Sequence, residues 1–253
     1  MNVRALAAEL VGTYILVAVG SFGIASAAVS TISSQSGESF SSFVMLIVPF
    51  AFGLALMAGI AVAGHVSGAH FNPAVTLAML FDGRIDWLSA IFYVVAQVIG
   101  AVLASLTVLV VLTKDFVNAT VNHAGPLAND PSAAQLHAFV VEVVLTAIFV
   151  LVILTVTRKA PTQAAFIIGL TLAAIHLAAV PLSGASVNPA RSLAPAVVSG
   201  DYEGLWIYLT APFLGAIIGW AISRFLTPPE DDLIVEEEIE EPLDLFEDEA
   251  ASA

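Results

Sequence analysis

The chain has 253 residues, of which 59% are hydrophobic and only 11% charged, and it contains no cysteine. Soluble domains carry about 25% charged residues, so this composition excludes a water-soluble globular protein and places most of the chain in a membrane. The 21 acids outweigh 7 bases for a formal net charge of −14, but twelve of those acids fall within residues 230–249. A basic nucleic-acid surface is therefore excluded, as are a disulfide framework and a thiolate metal site.

Taken in chain order, the first apolar run covers residues 5–29. Arg4 before it and Ala25-Ser26-Ala27 near its end imitate a cleavable signal peptide. Glu9 inside the run argues for a retained first span. A second run covers 43–63, and a short one of ten residues follows at 72–81. Longer runs at 88–113, 136–157 and 164–180 come next, then a short one at 188–198 and a last span at 205–226. A helical span needs about 20 apolar residues. The two short runs would rise ~15 Å each, half of a ~30 Å hydrocarbon core. Neither crosses alone, but two meeting end to end would. Pro228-Pro229 stops the last helix. The acidic segment beyond it cannot bury a core and is expected to be solvated, with at most a transient helix over 234–245.

The short runs belong to a duplication. Asn72-Pro73-Ala74 recurs as Asn188-Pro189-Ala190, and without gaps the match extends over 53–78 and 169–194. Both copies share Gly53 and Gly169, the Ser-Gly-Ala at 67–69 and 183–185, and a Leu-Ala after the triplet. Glu9-x-x-x-Thr13 in the first span matches Glu142-x-x-x-Thr146 in the fourth, and Gly100-Ala101 matches Gly215-Ala216. Two repeats follow, about 1–113 and 136–226, within a membrane domain of 1–226 and a tail of 227–253. With three spans each, the repeats run in opposite directions through the membrane. An even number of spans puts both termini on one side, together with Arg4, Arg84, Arg158, Lys159 and Arg224. Lys114 is the only loop base opposite. Basic loops mark the cytoplasm. The predicted fold is all-α, with six transmembrane helices, two re-entrant half-helices and inverted three-helix repeats, in the cell membrane with both termini cytoplasmic.

Interrupted helices in corresponding halves point to a site at the bilayer midplane. Proline suits the first helical position and asparagine the cap before it. One such triplet is an ordinary helix start. Two in an inverted repeat would aim both positive dipole ends and two amides at one spot, which repels cations and orients a polar neutral molecule by its oxygen. Glu9 and Glu142 are carboxylates at membrane depth, worth roughly 2.5–3.5 kcal/mol each on insertion scales unless partnered. The non-helical backbone at 67–71 and 183–187 supplies unpaired N–H groups, so loop support is preferred to a proton relay. Arg191 follows the second triplet where Val75 follows the first. His176 replaces Ile60 on the helix leading to the second loop. His65 and His70 are read as hydrogen-bonding residues of the first loop; no third ligand is spaced to complete a metal site. No cofactor is expected.

These residues closely resemble the aquaporin, or major intrinsic protein, family over residues 5–226. The resemblance rests on Ser-Gly-Ala-His-Phe-Asn-Pro-Ala-Val-Thr at 67–76 and Ser-Val-Asn-Pro-Ala-Arg-Ser at 186–192. It implies an hourglass pore in each subunit of a homotetramer, without enzymatic activity. It also implies that Asn72 and Asn188 donate to water at the pore centre, and that Phe52, His176, Ala185 and Arg191 form the outer constriction. Glycerol facilitators of the family carry Trp, Gly and Phe at the Phe52, His176 and Ala185 positions, Asp at Ser192 and a basic residue at Ala196. The resemblance therefore implies a passive water channel that excludes ions and protons. A glycerol or small-solute facilitator is the alternative of the same fold, to which small Ala185 and Leu209 lean. An ion-coupled transporter using Glu9 and Glu142 is a remoter one. The acidic tail is the place where an unknown partner would bind.

Overall fold

The computed structural model describes residues 2–33, 38–125 and 128–227. Nine α-helices are present among them: α1 (Val3–Ser33), α2 (Glu38–Ser67), α3 (Pro73–Phe81), α4 (Trp87–Val111), α5 (Lys114–Ala119), α6 (Pro131–Lys159), α7 (Ala164–Ser183), α8 (Pro189–Ser199) and α9 (Leu205–Leu226). Six of them (α1, α2, α4, α6, α7 and α9) are long and apolar enough to cross a membrane. The half-helices α3 and α8 have 9 and 11 residues. The acidic tail foreseen beyond residue 227 lies outside the described residues.

The helices start where local chemistry provides an acceptor for their free N–H groups. Asp86 accepts from Ser89 N at 3.0 Å ahead of α4, and Asp130 accepts from Ala133 N at 2.9 Å ahead of α6. Two features differ from the sequence reading. Helices run past the apolar stretches, because hydrogen bonding continues until the backbone turns left-handed: α2 ends at Ser67 before Gly68 with φ +86°, and α7 at Ser183 before Gly184 with φ +77°. His65 consequently sits in the last turn of α2, exposed, and not in the loop. A six-residue helix, α5, occupies the connection read as plain loop.

The packing repeats itself. Helix α1 packs on α2 and α4, as α6 packs on α7 and α9, and α2 crosses α7 between the halves. The half-helices are exchanged: α3 lies against α4 and α9, and α8 against α9 and α4. Small residues permit these approaches, because lipid gives no hydrophobic drive and association depends on close contact. A Cβ on Gly53 would lie 2.7 Å from the Gly169 carbonyl oxygen, and one on Gly169 would lie 2.7 Å from that of Gly53. Glycines 53 and 169 are counterparts in the duplication, so this contact is reciprocal. Gly100 approaches the Leu10 carbonyl, where a Cβ would sit at 2.3 Å, and its counterpart Gly215 approaches that of Val143, at 2.4 Å.

On the side of the termini, Asp82 after α3 joins two cations. Its Oδ2 lies 2.7 Å from Arg84 Nε, and its Oδ1 accepts from Arg158 Nη2. Arg84 also donates to Thr157 on α6, at 2.6 Å, and Arg158 to Thr227 after α9, at 2.9 Å. The end of one half-helix is thus tied to two spans of the other repeat.

Replacing Gly100 by Ala forces a methyl into the Leu10 backbone and should cost about 1–3 kcal/mol. Gly64→Ala, whose added methyl meets only ordinary contacts at 3.4 and 3.9 Å, should not destabilise. Thermal unfolding of the purified protein in detergent orders the two. Equal midpoints would refute the close-packing account.

Candidate functional site

Two loops, residues 68–72 and 184–188, leave the helical conformation inside the protein. Both follow one backbone pattern. Ala69 and Phe71 have φ of 54° and 49°, and Ala185 and Val187 have 47° and 45°. Left-handed non-glycine residues cost of order 1–3 kcal/mol each, and surrounding structure must impose them. Here that structure is a carboxylate for each loop. Glu9 on α1 accepts from Ser67 Oγ at 2.6 Å, His70 N at 2.9 Å, Phe71 N at 2.7 Å and Gln97 Nε2 at 2.8 Å. Glu142 on α6 accepts from Ser183 Oγ, Ser186 N and Val187 N, each at 2.8 Å. Both glutamates are fully buried. Charge-assisted bonds of this kind are roughly twice as strong as neutral ones.

The asparagines interlock the two loops. Asn72 Oδ1 caps α3 by accepting from Ala74 N at 2.9 Å, while its Nδ2 donates to the Val187 carbonyl at 2.7 Å. Asn188 Oδ1 caps α8, accepting from Ala190 N and Arg191 N, and its Nδ2 donates to the Phe71 carbonyl at 2.9 Å. Pro73 and Pro189 are the first helical residues, and Ala74 and Ala190 follow, both fully buried. The half-helices therefore meet N-terminus to N-terminus. Each amide nitrogen carries two hydrogens. One is used across the junction, which leaves the other for the cavity that both asparagines line.

That cavity runs the length of the two loops. Its lining combines apolar side chains, Leu16, Leu56, Ile60, Val75, Phe149 and Leu172 among them, with residues of both loops. Its volume is about 60 Å³. One water needs about 10–15 Å³ by that measure, so the space suits a short file of molecules and not a bulk column.

Phe52, His176 and Arg191 meet at the far end. The Phe52 and His176 rings stack with centroids 4.5 Å apart and planes at 22°. Arg191 Cζ lies 5.1 Å from the Phe52 centroid. His176 Nδ1 bonds the Leu172 carbonyl at 2.9 Å, which places the ring hydrogen there and leaves Nε2 as an acceptor. His176 Nε2 and Arg191 Nε are buried and have no partner among the described residues. Arg191 Nη1 donates to the Thr120 carbonyl at 3.0 Å and to Asn122 Oδ1. Ala185 is fully buried in the second loop. Glycine on α1 makes room for this arrangement: a Cβ on Gly20 would lie 2.2 Å from the Phe52 ring.

Of the residues singled out in the sequence, Phe52, His70, Asn72, His176, Asn188 and Arg191 line this cavity, and Glu9 and Glu142 hold its loops; Pro73, Ala74, Ala185, Pro189 and Ala190 are buried beside it, and His65 lies apart on α2. Sequence reasoning passed over Thr120 and Asn122, which hold Arg191, and the part of Gln97, whose Nε2 bonds both Glu9 and, at 2.9 Å, Thr76. The polar residues Thr120 and Asn122 in the connection between the repeats were the available signal. His70 bonds Thr76 Oγ1 at 3.1 Å, within the loop network as expected. No group of three or more metal-ligating side chains is found among the described residues.

The family model described as Major intrinsic protein matches residues 1–222. The chain is 39% identical over 233 residues to Aquaporin Z of Photorhabdus laumondii, covering 88% of this chain and 97% of that protein. It is also 39% identical over 230 residues to Glycerol uptake facilitator protein-like 6 of Lactiplantibacillus plantarum, covering 88% and 98%. Among solved structures, the aquaglyceroporin from Plasmodium falciparum matches with a TM-score of 0.77 at 25% identity, over 92% of this chain and 100% of that one.

Glu142→Ala strands two loop N–H groups, at about 1–3 kcal/mol apiece, and should lower the unfolding temperature and the yield of folded protein; Glu142→Gln should fall between. Glu9 variants should behave alike. Variants that unfold like the wild type but lose a response to a pH gradient would instead assign these carboxylates to proton transfer.

Proposed function

The chain belongs to the major intrinsic protein family, whose members are passive membrane channels, and on that premise we propose that it conducts water in preference to larger solutes. The observation that carries this reading is the contact of Phe52, His176 and Arg191 at one level of the cavity. An imidazole fills the width that a three-carbon polyol would need. Two polar atoms without a partner among the described residues, His176 Nε2 and Arg191 Nε, stand ready to exchange hydrogen bonds with a molecule as small as water. Leaving such groups unpaired costs about 1–3 kcal/mol each, so an arriving water recovers there much of what it gives up in bulk.

At the centre, Asn72 and Asn188 each offer one N–H to the passing oxygen. A water held by two donors points its own hydrogens outward along the file. No relay of protons then crosses the junction. The half-helix N-termini and the Arg191 charge add an electrostatic barrier to cations. Glu9 and Glu142 serve as loop supports in this reading, and no covalent step is catalysed. The excess of Arg and Lys on the side of the termini supports a cytoplasmic location for both ends in a cell or inner membrane. Each subunit carries its own pore, and the assembly is a homotetramer.

Ala185 and Leu209 favour a second reading, in which glycerol or a similar small neutral solute also passes. Ala185 leaves one wall of the constriction small. The printed names of two of the similar proteins include glycerol uptake or aquaglyceroporin.

Stopped-flow light scattering of proteoliposomes separates the two. Water selectivity requires fast shrinkage in sucrose and no re-swelling in glycerol; rapid re-swelling would favour the facilitator. The Phe52→Trp and His176→Gly double variant should raise glycerol permeability by about tenfold or more, within the range one pocket change can supply. Unchanged glycerol flux through a correctly assembled variant would remove these residues from the filter.

A further inference from the structure

The guanidinium of Arg191 is held by a residue far away in sequence. Asn122 follows α5, in the connection between α4 and α6, and is only 3% exposed. Its Oδ1 accepts from both Arg191 Nη1 and Ser192 Oγ, the latter at 2.8 Å. Its Nδ2 donates to the Gly184 carbonyl at 3.0 Å. One side-chain amide thus joins the filter arginine, the next residue of α8 and the loop residue preceding Ala185.

The surroundings fix where that amide stands. Gly125 N donates to the Leu182 carbonyl at 2.9 Å, and a Cβ on Gly125 would lie 2.3 Å from the Pro181 carbonyl oxygen. The connection is therefore docked on the end of α7. A Cβ on Gly184 would lie 2.4 Å from Asn122 Nδ2, so glycine there lets the amide approach as well as taking the left-handed turn. Ser192 Oγ in turn bonds Ser186 Oγ, and Ser186 N bonds Glu142. The chain of contacts runs from the connection through the filter to the loop support. Among the described residues, Arg191 Nη1 has, apart from Asn122, only the Thr120 carbonyl, and its Nε has no partner.

We propose that Asn122 is the positioning residue of the filter: it sets the place of the Arg191 guanidinium and, through it, the discrimination between water and larger neutral solutes. This rests on the reading of Arg191 as a filter residue. Removing the acceptor frees the guanidinium to leave its station against Phe52, and the constriction loosens.

The test is a double-mutant cycle in proteoliposomes, with wild type, Asn122→Ala, Arg191→Val and the pair. Water and glycerol permeabilities are normalised to folded protein. Arg191→Val alone tests the filter reading and should raise the glycerol-to-water ratio about tenfold. An unchanged ratio there removes both the filter reading and this proposal. Asn122→Ala should raise the ratio severalfold when Arg191 is present and change it less than twofold in the Arg191→Val background. An equal change in both backgrounds, with Arg191→Val behaving as expected, would overturn the positioning role while leaving the filter reading intact. Asn122→Asp keeps the acceptor for Arg191, with a charge that pairs with the guanidinium, and exchanges the donor to Gly184 for a second oxygen. It should keep a ratio near that of the wild type, and Asn122→Ser, whose shorter side chain cannot span to Arg191, takes the place of Ala in the cycle if the Ala variant does not assemble. An Ala-like ratio for Asn122→Asp would count against the proposal.

Discussion

Backbone that leaves a helix inside a membrane has no water to satisfy it. Everything at the centre of this protein follows from that constraint. Two loops turn at membrane depth, each with two non-glycine residues at positive φ. Each is held by one buried carboxylate that takes consecutive N–H groups: His70 and Phe71 on Glu9, Ser186 and Val187 on Glu142. The charge is expensive in lipid and the strained backbone is expensive anywhere. Each makes the other tolerable, because the carboxylate gains charge-assisted bonds and the backbone gains acceptors. With their N–H groups committed in this way, the carbonyls of Phe71 and Val187 are left to accept from the opposing asparagines.

The asparagine exchange then converts two separate loops into one junction. Asn72 reaches the second loop and Asn188 the first, so neither half-helix is positioned by its own repeat alone. The exchange of packing partners, α3 onto α9 and α8 onto α4, has the same effect at the level of helices. Glycine pairs at corresponding positions bring the helices close enough for these short bonds to form.

The two halves are not equivalent, and the differences are chemical. Gln97 gives Glu9 a fourth donor, while its counterpart Pro212 cannot donate, and Glu142 has three. The hydroxyl of Thr146, one turn from Glu142, has no partner among the described residues. Arg191 stands where the first repeat has Val75. The arginine thus stands at one end of a cavity whose lining is largely apolar and whose centre carries the two asparagines. In the proposed channel that asymmetry puts discrimination at one mouth and leaves the rest of the path to bind the permeant weakly.

Much was legible in the sequence because it depends on local properties. Span length and apolarity are local, and so is the cap–proline pair that starts each half-helix. The duplication made isolated features readable: one Asn-Pro-Ala or one buried glutamate is ambiguous, and a matched pair in inverted repeats is not. Helix ends were less legible, since hydrogen bonding carries α2 and α7 beyond their apolar runs until Gly68 and Gly184 turn left-handed, which moved His65 onto a helix. What only the tertiary structure decided is which distant groups meet. The stacking of Phe52 on His176, the Gln97 bond to Glu9 and the Asn122 hold on Arg191 join residues 124, 88 and 69 positions apart. Composition and periodicity carry no record of such pairings. They arise from the crossing of packed helices and from the unpaired donors and acceptors that a dry interior forces together.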